Sequence, residues 1–144
     1  MNDIEKEIHR KVNLWMAYAD EDLHLAKYAL KLRPAPCRLI AYHAQQCAEK
    51  CLKAYLVFRR VDFPYTHNIS LLLELCTGQS KWAESLQDAE ELTAFAITTR
   101  YPGEDKKVTM AEAVRAIELA SSVRQAVKKA LADEGMAILE DTLK

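Results

Sequence analysis

Glycine and proline are scarce in this chain, and their positions constrain it more than any other feature. Three Gly and four Pro occur in 144 residues. They stand at Pro34-Ala35-Pro36, Pro64, Gly78, Pro102-Gly103 and Gly135. A proline inside a helix costs about 3 kcal/mol, so helices run between these marks rather than across them. The marks divide the chain into residues 1–33, 37–63, 65–77, 79–101 and 104–134, pieces too long for ordinary strands. So few turn formers also exclude a many-stranded sandwich or barrel. Local signals agree. Thr109-Met110-Ala111-Glu112 has the form of a capping box, Asn68 precedes a short apolar run over 69–76 as an N-cap, and Ser80 stands similarly before the next piece. Short connections imply antiparallel neighbours. The sequence therefore predicts an all-α, antiparallel up-and-down helical bundle of four to five helices. It forms one domain, residues 1–134, with a short C-terminal tail, 135–144.

Half of the residues are hydrophobic and 28% are charged, which suffices for a core and argues against wholesale disorder. No apolar run approaches the roughly 18 residues of a membrane span, and the N-terminus lacks the basic-then-apolar order of a secretion signal. The four cysteines, 37, 47, 51 and 76, form no CxxC pair. Reduced thiols and a cytoplasmic location are the expectation. There is no phosphate loop, no G-x-G-x-x-G and no D-x-D, so the chain is not itself an ordinary phosphate-loop enzyme or nucleotidyltransferase, and no cofactor is called for. Cys47 and Cys51 stand at i, i+4 with His43 one turn earlier. That spacing could offer zinc ligands, but small thiols packing beside alanines account for it more simply, and no metal site is predicted.

At about 100° per residue, the first helix gathers Ile4, Ile8, Val12, Trp15, Tyr18, Ala19, Leu23, Ala26, Ala29 and Leu30 on one side. Asp20, His24, Lys27 and Lys31 lie opposite. Asp22 breaks the pattern by falling inside the apolar arc, where a carboxylate is costly unless paired. It either reaches water at the rim or meets a polar group of a neighbouring helix, with Lys50 the first choice. The second helix places Ile40, Ala41, Ala44, Ala48, Cys51, Leu52 and Tyr55 on one face, with Arg38, Tyr42, Gln45, Gln46, Glu49, Lys50 and Lys53 on the other. Residues 37–61 hold Arg38, Lys50, Lys53, Arg59 and Arg60 against Glu49 alone, a net of +4 in a chain whose total is −1. The total excludes a globally basic nucleic-acid binder. The local stripe is either a solvated face or a phosphate-binding one.

The run Tyr42-His43-Ala44-Gln45-Gln46-Cys47-Ala48-Glu49-Lys50-Cys51-Leu52-Lys53-Ala54 resembles the second-helix signature of the HEPN domain family, an aromatic followed by H-A-Q-Q-x-x-E-K-x-L-K-A. Other pieces match in order. Residues 19–26 resemble the family's A-x-x-D-L-x-x-A, Thr66-His67-Asn68-Ile69 its T-H segment, and Leu92-Thr93 with Arg100-Tyr101-Pro102 its L-T…R-Y-P ending. The resemblance covers roughly residues 12 to 130. It implies a compact helical bundle that dimerises, often encoded beside a minimal nucleotidyltransferase partner in a toxin–antitoxin-like pair. Some such proteins are metal-independent ribonucleases with an R-x4-6-H motif in a cleft between two subunits. Others bind nucleotides or RNA without cutting.

Two stretches fit that motif, Arg38…His43 and Arg60…His67. Chance placement of 8 Arg and 4 His yields roughly one match at such loose spacing. The family's pair is expected near the end of the fourth helix, where Arg100 stands with no histidine after it. A neutral histidine suits activation of a 2′-hydroxyl, and an arginine fork suits the charge on phosphorus. On a helix, however, Arg38 and His43 lie about 140° apart, so one chain does not point both at one phosphate. The expectation is a nucleotide- or RNA-binding subunit using Gln46, Lys50, Lys53 and Arg100. A ribonuclease using Arg38 and His43, or Arg60 and His67, is the alternative, and a non-catalytic dimeric interaction module the third.

Overall fold

The computed structural model describes residues 1–96 and 107–138, and among them every regular element is helical. Four α-helices, α1 (Asp3–Ala29), α2 (Cys37–Phe58), α3 (Ile69–Thr77) and α4 (Met110–Asp133), are joined by a 3-10 segment, Lys81–Phe95, between α3 and α4. The punctuation marks do bound the helices. Asn2 caps α1 by accepting from the Glu5 amide at 2.8 Å, and Asn68 caps α3 by accepting from the Leu71 amide at 3.3 Å. Thr109 and Glu112 make the reciprocal capping box of α4, both bonds at 3.0 Å. Ser80 makes no side-chain capping bond, contrary to its expected role.

Two helices end in the same way. At the end of α2 the Val61 amide returns to the Leu56 carbonyl, with Arg60 at φ +58 in the left-handed region. At the end of α4 the Met136 amide returns to Leu131, with Gly135 at φ +102. Each is a Schellman closure, which needs a left-handed residue just past the cap. Arginine accepts that conformation at a cost glycine does not incur. The second closure buries Met136 in the core, so the expected tail begins inside the fold rather than outside it.

The fourth element is not the α-helix its length implied. Its buried residues are Ala83, Leu86, Ala89 and Leu92, a strict period of three. That period keeps one face toward the core only when a turn holds three residues, as in a 3-10 helix. The coil is interrupted at Leu86, where φ −104 and ψ 18 leave helical space.

Helix α2 is the centre of the bundle. It packs along α1 on one flank and α4 on another, while α3 and the 3-10 segment close further sides. A helix covered on several sides cannot keep a broad polar face, and Gln45, Glu49 and Lys53, expected on the open side, are buried. The wheel of α1 needs the same correction. Its core stripe is Val12, Met16, Ala19, Leu23 and Ala26, but Asp20, expected in solvent, is 5% exposed, because α4 covers that flank and brings Arg124 onto it. Ile4 and Tyr18, expected in the core, are exposed. Burial pushes the Cys76 thiol up to about 12, and a hydrogen bond with Cys47, with burial, raises Cys51. These thiols are packing groups, not nucleophiles. No described helix is long and apolar enough to cross a membrane.

Candidate phosphate-binding face of helix α2

His43, Gln46 and Lys50 follow one another at three- and four-residue spacing, so they form one stripe along α2. The stripe borders α1, and Asp22 of α1 meets it. Lys50 Nζ donates to Asp22 Oδ2 at 2.6 Å, and His43 Nδ1 lies 2.9 Å from Asp22 Oδ1. The Asp22 residue is 9% exposed, while the Lys50 and His43 side chains keep about a quarter of their surface. An ionised carboxylate only accepts, so Nδ1 carries the imidazole proton toward Asp22, and Nε2 is the nitrogen left for other partners. The Tyr42 ring stands edge-on to His43, centroids 5.2 Å apart. Gln46 Oε1 is sealed from solvent with no donor.

One turn further on, and around the helix, a second cluster is closed. Glu49 Oε2 accepts from Lys53 Nζ at 2.9 Å, and Glu49 Oε1 accepts from Gln45 Nε2 at 3.2 Å and lies 2.8 Å from His67 Nδ1. Gln45 also donates to the His67 carbonyl at 3.0 Å. Lys53 Nζ lies 5.7–5.8 Å from the ring centroids of Trp15, Phe63 and Tyr65, a separation at which the ring faces attract a cation. The 63–67 turn is thus pinned to α2. Thr93 Oγ1 adds a bond from the Ile69 amide at 3.1 Å, tying the 3-10 segment to the start of α3.

The residues nominated from sequence separate accordingly. His43, Gln46 and Lys50 come together on a partly open stripe beside Asp22. Lys53 does not join them, because its ammonium is enclosed by Glu49 and three rings. Arg38 is exposed in the first turn of α2, on a different side of the helix from His43. Arg60 lines a concavity of about 250 Å³ with Glu5, Ile8, His9, Phe58 and Glu134, whereas His67 is held by Glu49, so that pair is not assembled. Arg100 lies outside the described residues. Sequence reasoning missed Glu49 as a hub, although Gln45, Glu49 and Lys53 at successive four-residue steps carry the signal. It also missed Tyr55, whose hydroxyl donates to Glu134 at 2.8 Å and accepts from Arg59 at 3.0 Å.

Asp22→Ala is expected to cost about 2–3 kcal/mol, because two donors lose a charged acceptor at a half-covered site. Urea denaturation beside Glu74→Ala, an exposed residue of α3, measures it. Equal midpoints for the two variants would show that the Asp22 bonds contribute nothing.

The sequence motifs therefore bind one another: Asp22 with His43 and Lys50, and Gln45 and Glu49 with His67. The HEPN domain profile matches residues 12–130. A protein of Methanocaldococcus jannaschii named "Putative toxin MJ1304" is 33% identical over 97 residues. That match spans 62% of this chain and 62% of the relative, less than two thirds of its length. The crystal structure of ST0689, an archaeal HEPN homologue, superposes with a TM-score of 0.67 at 26% identity, covering 83% of this chain and 97% of that one. By profile, by motif order and by fold, this chain belongs to the HEPN domain family.

Proposed function

We propose that this chain is the nucleotide- or RNA-binding subunit of a toxin–antitoxin-like pair, acting as a homodimer in the cytoplasm beside a small nucleotidyltransferase. The observation that carries this reading is the stripe of His43, Gln46 and Lys50. Lys50 is the amine of the basic helix that stays partly open once Lys53 is enclosed. Asp22 behind the stripe fixes the direction of the His43 and Lys50 side chains, and a phosphate takes the remaining hydrogens of Lys50. Arg38 and Arg100 are the further phosphate contacts proposed in this reading. The toxin name of the relative supports the pairing.

The test is fluorescence anisotropy with a labelled single-stranded RNA and, separately, a labelled ATP. Wild type should bind more weakly as salt rises, since each neutralised phosphate releases counterions. Lys50→Glu and Lys50→Met should each weaken binding about tenfold or more whatever the RNA sequence, one lost charged contact amounting to about 1.5–3 kcal/mol. Lys129→Glu, on the exposed face of α4, should not. Unchanged binding in folded Lys50 variants would put the ligand elsewhere.

One observation favours cleavage as a second reading. A carboxylate on Nδ1 leaves Nε2 as the basic nitrogen, the arrangement of a general base. RNA cut without added metal by wild type, but not by His43→Ala or Arg38→Ala, would establish it. Intact RNA across varied sequences would leave binding as the activity.

A further inference from the structure

The turn between α2 and α3 carries one ring that the bundle does not use. Tyr65 is 91% exposed, more than any other large apolar side chain among the described residues. Phe63, two residues earlier, packs against the core instead. The backbone under Tyr65 is held on both sides. Gln45 donates to the His67 carbonyl, His67 Nδ1 meets Glu49, and the Asn68 amide donates to Thr66 Oγ1 at 3.0 Å. The His67 ring stands edge-on to Tyr65, centroids 5.5 Å apart at 72°. The Lys53 ammonium lies 5.8 Å from the Tyr65 centroid. A phenol is thus presented from a fixed turn, with a cation beside it and water over most of its surface.

The position of this ring gives it a use. Gln46 belongs to the stripe with His43 and Lys50, and it also lies three residues before Glu49, whose carboxylate holds His67, so it borders both groups. Lys50 and Lys53 are likewise three residues apart, the first turned to Asp22 and the second to the ring cluster. The open amine and the exposed ring therefore flank the same stretch of α2. We propose that Tyr65 is a stacking platform for an unpaired nucleobase, beside the phosphate that Lys50 receives. The inference rests on the binding reading above and names what its ligand must carry besides phosphate. A bare phosphate or an acidic peptide has no flat face to lay on the phenol, whereas every nucleobase has one. Tyrosine suits the task because it offers a large rigid surface with two side-chain torsions to fix. Stacking on it is tolerant of sequence but not of pairing, since a base inside a duplex already has both faces covered. Tyr65 thereby selects single strands and free nucleotides over duplexes, a choice that Lys50 alone cannot make.

Fluorescence anisotropy on the full chain tests this with three probes: a labelled single-stranded RNA, the same strand annealed into a duplex, and a labelled ATP. Tyr65→Ala should weaken single-strand binding about tenfold, the usual scale for one lost base stack, and leave duplex binding unchanged. Tyr65→Phe keeps the ring and should bind like wild type. Circular dichroism of each variant should match wild type, as expected for so exposed a side chain. A matching loss with ATP upholds the platform for free nucleotides as well, and a loss with RNA alone upholds it for RNA. Wild-type affinity of Tyr65→Ala for both single strand and ATP would overturn the inference. So would an equal loss on the duplex, or a loss in Tyr65→Phe as large as in Tyr65→Ala, which would make the contact one of backbone or hydroxyl rather than base. Lys50→Glu separates the two readings, because it should weaken single strand and duplex alike. A loss at Lys50 with none at Tyr65 sinks the platform alone. A loss at Tyr65 with none at Lys50 removes the phosphate site and leaves the platform standing. A wild type that binds none of the three probes overturns both.

Discussion

Glu49→Ala should remove about 3–5 kcal/mol of stability, the cost of breaking a buried pair by deleting one partner. The Lys53 and Glu49 side chains are 6% and 5% exposed, so neither charge reaches water when the other is gone. Deleting the carboxylate strands an ammonium among Trp15, Phe63 and Tyr65, whose ring faces offset only part of its lost hydration. It also frees His67 and one bond of Gln45, which loosens the 63–67 turn. Urea denaturation of Glu49→Ala and of the double variant Glu49→Leu, Lys53→Met distinguishes charge from packing. The double variant should recover most of the loss, because well-packed apolar replacements of buried ion pairs are commonly neutral. A loss below about 1 kcal/mol for Glu49→Ala would mean that Lys53 swings out to solvent.

Arg124→Ala should have an effect of similar size at the other end of the polar core. Its guanidinium grips Asp20 in two bonds, Nε to Oδ1 at 2.5 Å and Nη2 to Oδ2 at 3.3 Å, and that hydrogen bonding raises the arginine pKa further. The pair joins α1 to α4 across 104 residues of sequence, between helices that otherwise touch little. Removing the arginine leaves Asp20 buried beside the Cys47 and Cys51 thiols, and about 3 kcal/mol is the expected loss. A cycle with Asp20→Ala, Arg124→Ala and the double variant should return a coupling energy of about 1.5–3 kcal/mol. A coupling near zero would show that each residue acts through packing alone.

The bundle could be read from nine residues. The Gly and Pro marks, with Asn68 and Thr109 as caps, bound the helices because breakers and caps act locally, on the few residues around them. Family membership was legible in the same way, through motifs whose order survives without knowledge of contacts. What escaped was everything that depends on which side of a helix is covered. Asp20 and Lys53 look solvated on a wheel, yet α4 and the 63–67 turn close over them. The period of three in Ala83, Leu86, Ala89 and Leu92 was present in the sequence, but the distance between breakers was taken as the measure of an α-helix. At the site, Asp22 was legible as an apolar-arc anomaly and Lys50 as a long cation in reach. His43 was not legible as its second partner, since pairing across helices depends on how α1 and α2 are rolled about their axes.

That roll has a consequence of its own. Asp20 and Asp22 stand two residues apart, hence about 200° around α1, and they are latched to different helices, one to Arg124 and the other to His43 and Lys50. A turn of α1 by a single residue would unlatch both. The helix is therefore indexed like a key with two wards, and it cannot spin to hide Leu25 and Tyr28, which stay exposed.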